Sequence, residues 1–173
     1  MAFFPCIYFE CWSQMAFSIY SRNYRKLPLK ERFEKVFERD QKRQQFYQLL
    51  YKFVYVCLDR NLRMIFENPW AMQHYLRGNF IKEPDIVDND RTQRGDFVKK
   101  TTAYWFWNCE PTHGETIQPY RGEIKRIIDM KHAAKAGLCS EERSMISPDY
   151  ARNFIHDFIL GKPQTMSQLT LFE

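Results

Sequence analysis

Arg63-Met-Ile-Phe-Glu-Asn-Pro-Trp70 is the stretch around which the predicted fold is built. It begins with apolar residues that favour a β-strand and continues directly into a carboxylate, an amide and a proline. Because proline has no N–H group to continue a strand ladder, we expect the strand to end at Pro69. Glu67 and Asn68 are then predicted at the carboxyl end of a buried strand, where α/β sheets bind their ligands. A carboxylate in that place needs a partner, because burying an unpaired charge is costly.

The composition predicts a globular protein with a substantial core. The chain has 173 residues, of which 45% are hydrophobic and 17% aromatic, so it is long enough for one domain. The formal net charge of +5 allows a polyanionic partner but does not require one. The five cysteines include no Cys-x-x-Cys pair, which argues against a disulfide framework and favours a reducing cytoplasm. No apolar run reaches the roughly 18 residues that span a bilayer.

A strand–helix–strand unit is predicted for the first part of the chain. Residues 1–9 are typical of a strand, and Pro28 is expected to open a long helix with a polar stretch, and a possible break, at 38–45. The helix leads into the strand at 63–66. Strands joined by such a crossover are parallel, so Pro5-Cys6 and Glu67-Asn68 are expected to leave the sheet on the same side. A thiol and a carboxylate would then face one crevice.

The second part of the chain is predicted to alternate between loops and regular elements. We expect a long loop at 80–100, a central strand at Thr101–Trp107 and a basic helix at Glu123–Ala136. Ser147 followed by Pro148 indicates a further helix start, and Gly161 its end. The predicted organisation is one α/β domain at 1–161 and a flexible tail at 162–173.

Four blocks of residues, in this order, resemble a known family. They are Pro5-Cys6, then Ile65-Phe66-Glu67-Asn68-Pro69, then Lys99-Lys100-Thr101 with Tyr104-Trp105-Phe106, and Arg143-Ser144-Met145-Ile146-Ser147-Pro148. The sequence is similar to DNA cytosine-5 methyltransferases, and most of all to small methyltransferase-like proteins of phages and bacteria. The resemblance implies a Rossmann-like, mostly parallel sheet with flanking helices. It also implies DNA methylation of the restriction-modification type, in the cytoplasm of a bacterial or phage-infected cell.

The resemblance implies a role for each residue of the pocket. Cys6 would be the nucleophile that adds to C6 of cytosine, Glu67 would bind N3, and Pro5 and Asn68 would complete the site. The base must leave the duplex to reach these groups. Other interpretations stay open at this point: Cys6 could be a buried structural thiol, and Glu67 could cap the turn that follows the strand.

The chain departs from the family in the residues that would bind the methyl donor. S-adenosylmethionine is the family's cofactor, yet the six glycines of this chain form no Gly-x-Gly turn that could bind it. Ile7 and Tyr8 also replace the polar residue that follows Pro-Cys in the cytosine-5 enzymes. We therefore expect a carboxyl-terminal portion of the fold, truncated on its N-terminal side, that does not methylate unless a partner supplies the cofactor-binding half.

Two further stretches predict macromolecular partners. Phosphate contacts with DNA are expected from Arg91, Arg94, Lys99, Lys100 and Arg143, with a solvated polar loop as the other interpretation. Gln168-Leu169-Thr170-Leu171-Phe172 resembles the pentapeptide that binds bacterial sliding clamps, unless its apolar residues fold back on the protein's own core. The alternative function is accordingly a non-catalytic module that binds DNA or a clamp and keeps a vestigial pocket. No metal site is expected: the spacing of Cys109 and His113 is allowed for zinc, but His132 and Cys139 are too widely spaced.

Overall fold

The structure is a computed structural model, which describes residues 2–3, 9, 21–71, 75–114, 118–125 and 145–161. Its elements in chain order are β1 (Ala2–Phe3), α1 (Arg22–Arg25), α2 (Leu29–Asp59), β2 (Met64–Pro69), β3 (Ile86–Asp88), a 3₁₀ helix (Arg91–Arg94), β4 (Thr102–Trp107) and α3 (Pro148–Ile155), which continues into a π-helical turn (His156–Leu160). The contacts within the chain divide it into two compact units. The first comprises Met1–Val87 with Thr102–Glu110, and the second Asp88–Thr101 with Pro111–Glu173.

The sheet has the strand order β1-β2-β4-β3. β2 and β4 pair antiparallel over six positions, from Met64 opposite Trp107 to Pro69 opposite Thr102. The predicted Rossmann-like, mostly parallel sheet is therefore wrong, and β2, β4 and β3 form a small antiparallel sheet. The physical reason lies in the connection from β2 to β4. Its described part contains only β3 and the 3₁₀ helix, so no long crossover helix returns the chain for parallel pairing.

The parallel pairing predicted for the first strand is present, although it is short. β1 lies beside β2 with Ala2 opposite Phe66 and Phe3 opposite Glu67. Between these strands runs α2, which serves as the expected crossover. The prediction of a central strand near Thr101–Trp107 is also confirmed, because β4 lies between β2 and β3 and all six of its residues are buried.

The long helix α2 is continuous over 31 residues and begins directly after Pro28. The break considered at 38–45 does not occur. Only the second half of the helix contributes to the core, through Leu50, Val54 and Cys57, whereas the aromatic rings at the start of the helix remain exposed. The first unit therefore builds its core where the end of α2 covers the sheet.

Aromatic side chains fill the core between α2 and the sheet. Phe66 stacks on Trp105 with ring centroids 4.9 Å apart, and Phe80 meets the same indole edge-on at 5.8 Å. Trp105 and Phe66 are fully buried, as is Leu50 of α2. Burying such large rings is the main contribution to the stability of this unit.

The second unit contains the helix predicted from Ser147-Pro148. The Ser147 hydroxyl accepts a hydrogen bond from the Tyr150 amide at 3.1 Å, as an N-cap does, and Gly161 ends the following turn with φ of 65°. Two other predictions are wrong in the described residues. The stretch 80–100 contains β3 and the 3₁₀ helix, and residues 123–125 are not helical, because Lys125 forms a parallel bridge with Val98. Residues 126–136 of the predicted basic helix lie outside the described residues.

None of the helices in the described ranges is long and apolar enough to cross a membrane.

Candidate functional site

Glu67 and Asn68 lie within β2 and not after it, since the strand continues to Pro69. Both residues are buried, at 7% and 0% exposure, and β2 has a neighbouring strand on each side. Phe3 of β1 and Tyr104 of β4 are the backbone partners of Glu67, and Ala103 is the partner of Asn68. Both residues have an interaction partner. The strand therefore carries a stably buried carboxyl group beside β1.

The two polar residues of β2 point to opposite faces of the sheet. Successive side chains of a strand alternate, and residues directly opposite each other on neighbouring strands share a face. Asn68 therefore shares its face with Phe66 and Trp105, which belong to the core against α2. Glu67 shares the other face with Tyr104. The structure thus separates Glu67 from Asn68, and Asn68 is part of the core side.

The Pro5-Cys6 turn lies outside the described residues, as do Ile7 and Tyr8. The described part of the predicted pocket consists of β1 and the end of β2. Trp70, which follows β2, packs edge-on against Trp105 at 5.9 Å and is half-buried. An aromatic side chain thus stands directly after the strand that carries Glu67.

A buried ionic cluster in the second unit contains two of the residues predicted to bind phosphate. Arg94 donates from Nε to Asp157 at 3.0 Å and lies 3.4 Å from Asp88 through its NH1 atom. Tyr150 donates its hydroxyl to the same Asp88 oxygen at 3.1 Å. Both carboxylates are buried, and Phe158 lies beneath the guanidinium at 4.9 Å. The positive charge of Arg94 is therefore neutralised inside the protein.

Arg91 is buried as well, at 1% exposure. It forms an ion pair with the fully buried Asp96, and its guanidinium lies 4.5 Å above the ring of Tyr150. A side chain in this position does not reach a phosphate in solvent. The structure therefore assigns Arg91 and Arg94 to the packing of the second unit, and they are not candidates for DNA contact.

The two lysines of the predicted phosphate-binding set differ from the arginines. Lys99 is 63% exposed and forms an ion pair with Asp90 at 3.2 Å, while Lys100 is half-buried. A third lysine, Lys125, was missed by sequence reasoning. Its amide donates to the Phe97 carbonyl at 2.8 Å and its carbonyl accepts from the Lys99 amide at 3.4 Å. The bridge between Val98 and Lys125 brings Lys125 beside Lys99, although the two lysines are far apart in sequence. Arg143 lies outside the described residues.

Hydrogen bonds lower the pKa of Asp90 at this edge. Burial of the carboxyl group acts to raise its pKa, but hydrogen bonds from Thr92 and Lys99 outweigh burial and lower it. The Thr92 hydroxyl donates to the carboxylate at 2.6 Å and the Thr92 amide at 3.1 Å. Asp90 thereby caps the 3₁₀ helix and also holds Lys99.

The described glycines with positive φ differ from those of a loop that binds S-adenosylmethionine. Three glycines have positive φ, namely Gly78, Gly95 and Gly161. Gly95 ends the 3₁₀ helix and Gly161 ends the π-helical turn, while Gly78 lies in the turn at 75–80. None of the three opens a helix, as a cofactor-binding glycine loop does.

The described ranges contain no group of three or more His, Cys, Asp and Glu side chains that could hold a metal ion. The predicted clamp-binding residues Gln168, Leu169, Leu171 and Phe172 lie outside the described residues. Comparison of the chain with protein-family models, with curated proteins and with solved structures gives no match.

Proposed function

We propose that the chain is a DNA cytosine methyltransferase-like protein that binds an extruded cytosine between Cys6 and Glu67, in the cytoplasm of a bacterial or phage-infected cell. One observation carries the proposal: Phe3 of β1 lies directly opposite the buried Glu67 of β2, in parallel. Cys6 follows Phe3 by three residues in the sequence, and three residues span at most about 11 Å. A thiol and a buried carboxyl group are thus tied to neighbouring strands that run in the same direction.

The two groups suit the addition of a thiolate to cytosine. The sulfur of Cys6 forms a bond to C6, the C5=C6 electron pair moves to C4–C5, and the C4=N3 pair moves to N3. N3 then takes a proton, which the carboxyl group of Glu67 supplies. Collapse of the adduct returns the proton to Glu67 and releases the thiolate. Addition and its reversal consume no methyl donor, so the chain alone can carry out this cycle.

Phosphate contacts are proposed separately for the second unit. The exposed Lys99 and the neighbouring Lys125 replace Arg91 and Arg94 as candidates, together with Lys100. Contacts of this kind hold nucleic acid without reading its sequence and weaken as salt rises. An affinity that does not fall with salt would contradict this part of the proposal.

Equilibrium binding of an extruded base tests the pocket. The probe is a fluorescent duplex in which one cytosine faces an abasic site, because an unpaired base costs less to extrude. We expect the protein to prefer this duplex over the same duplex with thymine by on the order of 10-fold, as one paired set of hydrogen bonds provides. Glu67→Leu is expected to lose the preference, because leucine offers cytosine neither a donor nor an acceptor, whereas Glu83→Leu, which changes an exposed carboxylate of the same unit, keeps it. Equal affinity of the wild type for both duplexes would contradict the proposal.

The sequence of the tail favours a second candidate, the non-catalytic module that binds a sliding clamp. Gln168 to Phe172 supply two apolar anchors on a short peptide. Pull-down with a bacterial clamp is expected to fail for the double variant Leu171→Ala, Phe172→Ala and to succeed for Thr170→Ala. Clamp binding that persists in the double variant would exclude the tail as the docking peptide.

A further inference from the structure

The end of β2 carries a stacked pair of side chains that the cytosine pocket does not use. Trp70 follows Pro69 directly, and the edge-on contact with Trp105 anchors its indole to β4. Arg77 lies over the face of that indole, with its guanidinium carbon 4.5 Å from the ring centroid. Trp105 is fully buried, Trp70 is half-buried and Arg77 is exposed. The three side chains therefore form a stack that leads from the core to the surface.

An ordered turn holds Arg77 in this position. Leu76 is buried at 2% exposure, and its carbonyl accepts from the amide of Phe80 at 3.1 Å. The Asn79 side chain closes the turn by donating to the Tyr75 carbonyl at 2.9 Å, and Gly78 supplies the positive φ that the turn requires. Because the residues on either side of Arg77 are fixed, holding its side chain over the indole costs less conformational entropy.

The charge of Arg77 is not neutralised in the part of the chain that the structure describes. No carboxylate there forms an ion pair with it, in contrast to Arg94, which contacts two. One face of the guanidinium rests on the indole. Arg77 as a whole is exposed. A planar cation in this arrangement suits a nucleobase, because guanidinium planes stack on bases and are attracted to the neighbouring phosphates.

We propose that Arg77, held on Trp70, stacks on a further nucleobase of the strand that carries the extruded cytosine. The inference rests on the proposed function, because it places single-stranded or locally opened DNA at the end of β2. Stacking on a base is largely independent of its identity, since every base has a π-face. Arg77 therefore increases the affinity for DNA, and Glu67 determines which base is preferred.

Binding of fluorescent oligonucleotides tests this contact. Three single strands of equal length are compared: one containing cytosine, one with thymine in its place, and one fully abasic strand with the same phosphates. Arg77→Ala and Arg77→Lys are both expected to weaken binding of the two base-containing strands on the order of 10-fold, because lysine keeps the charge but lacks the plane. Binding of the abasic strand is expected to fall much less.

Arg63→Ala is the matched control, because Arg63 is an exposed arginine at the opposite end of β2. Thermal unfolding midpoints of all variants establish that they fold. Full affinity in Arg77→Lys, an equal loss on the abasic strand, or a loss no larger than that of Arg63→Ala would each overturn the stacking contact.

The same assay separates this inference from the cytosine pocket. If Glu67→Leu removes the preference for cytosine while Arg77→Ala behaves like Arg63→Ala, only the stacking contact fails. If the wild type shows no preference for cytosine but Arg77→Ala and Arg77→Lys still bind the base-containing strands weakly, the pocket fails and the contact stands.

Discussion

At the scale of single residues, Arg94 shows how the second unit uses charge. Its guanidinium is shared by Asp88 and Asp157, two buried carboxylates that are distant in sequence. Buried carboxylates depend on such a partner, because each would otherwise be an uncompensated charge in a medium of low polarity. The cluster explains why a residue from a polar stretch is needed for packing and not for DNA contact.

Replacing Arg94 by methionine is expected to destabilise the protein by about 3 kcal/mol, since it leaves both carboxylates without their cation. Urea unfolding measures the change in the free energy of unfolding. Arg152→Met is the control, because the Arg152–Asp149 pair is exposed and should contribute less than about 0.5 kcal/mol. A loss in Arg94→Met as small as that of the control would contradict the structural role of the cluster.

Asp90 permits a prediction about pH. A carboxyl group whose pKa is lowered in the folded state stabilises the protein above its unfolded pKa of about 3.9, and this stabilisation is lost as the pH falls through the folded pKa. Thr92→Val removes the 2.6 Å hydrogen bond and keeps the shape of the side chain. We expect the pKa of Asp90 to rise toward its ordinary value in this variant, as followed by NMR titration of the carboxyl carbon.

The difference in stability between the wild type and Thr92→Val should then shrink as the pH falls below the folded pKa of Asp90. Thr101→Val serves as the control, because its hydroxyl donates to the Asn89 carbonyl and not to Asp90. A pKa of Asp90 that is the same in Thr92→Val and in the wild type would show that this hydrogen bond does not lower it.

Residue-scale predictions from sequence succeeded where local chemistry decides and failed where distant residues meet. Ser147 could be identified as an N-cap, because serine before proline favours a helix start. The burial of Arg91 could not be foreseen, since it depends on Asp96 and on Tyr150 from a distant helix. The separation of Glu67 from Asn68 was open to prediction, because the alternation of side chains along a strand places adjacent residues on opposite faces.

At the scale of elements, α2 illustrates how one helix divides into a core half and an exposed half. Leu49 and Leu50 are adjacent leucines in its second half, but Leu50 is fully buried and Leu49 is 42% exposed. Leu50→Ala is expected to cost about 2–5 kcal/mol in the free energy of unfolding, because it removes buried methyl groups and leaves a cavity. Leu49→Ala is the matched control and should cost less than about 1 kcal/mol. Equal losses in the two variants would contradict the packing of α2 on the sheet.

The direction of β4 was the main error at this scale. The apolar pattern of 101–107 correctly predicts a strand with neighbours on both sides, because both of its faces are apolar. A buried apolar run does not indicate, however, whether the strand is parallel or antiparallel to its neighbours. The parallel arrangement was predicted from the family resemblance instead. The direction of a strand depends on how the connection before it is packed, and periodicity carries no information on that packing.

At the scale of the whole molecule, the described residues form two compact units, and of the proposed pair Cys6 and Glu67 only Glu67 is among them. The first unit buries Glu67 beside β1, and the second unit holds its own charges in an ionic core. The order of the four sequence blocks predicted a pocket formed by Cys6 and Glu67. These blocks did not predict the direction of the strands, because the antiparallel sheet depends on contacts between distant residues.

Formation of a covalent adduct with 5-azacytosine in DNA tests whether Cys6 and Glu67 act together on cytosine. The ring nitrogen at position 5 makes C6 more electrophilic and takes up a proton after addition, so a stable adduct needs no methyl donor. Mass spectrometry of the digested adduct identifies the modified residue. We expect an adduct on Cys6 that is absent in Cys6→Ser, present in Cys109→Ser, and formed on the order of 100-fold more slowly in Glu67→Gln. No adduct with the wild type, or an adduct that persists in Cys6→Ser, would contradict it.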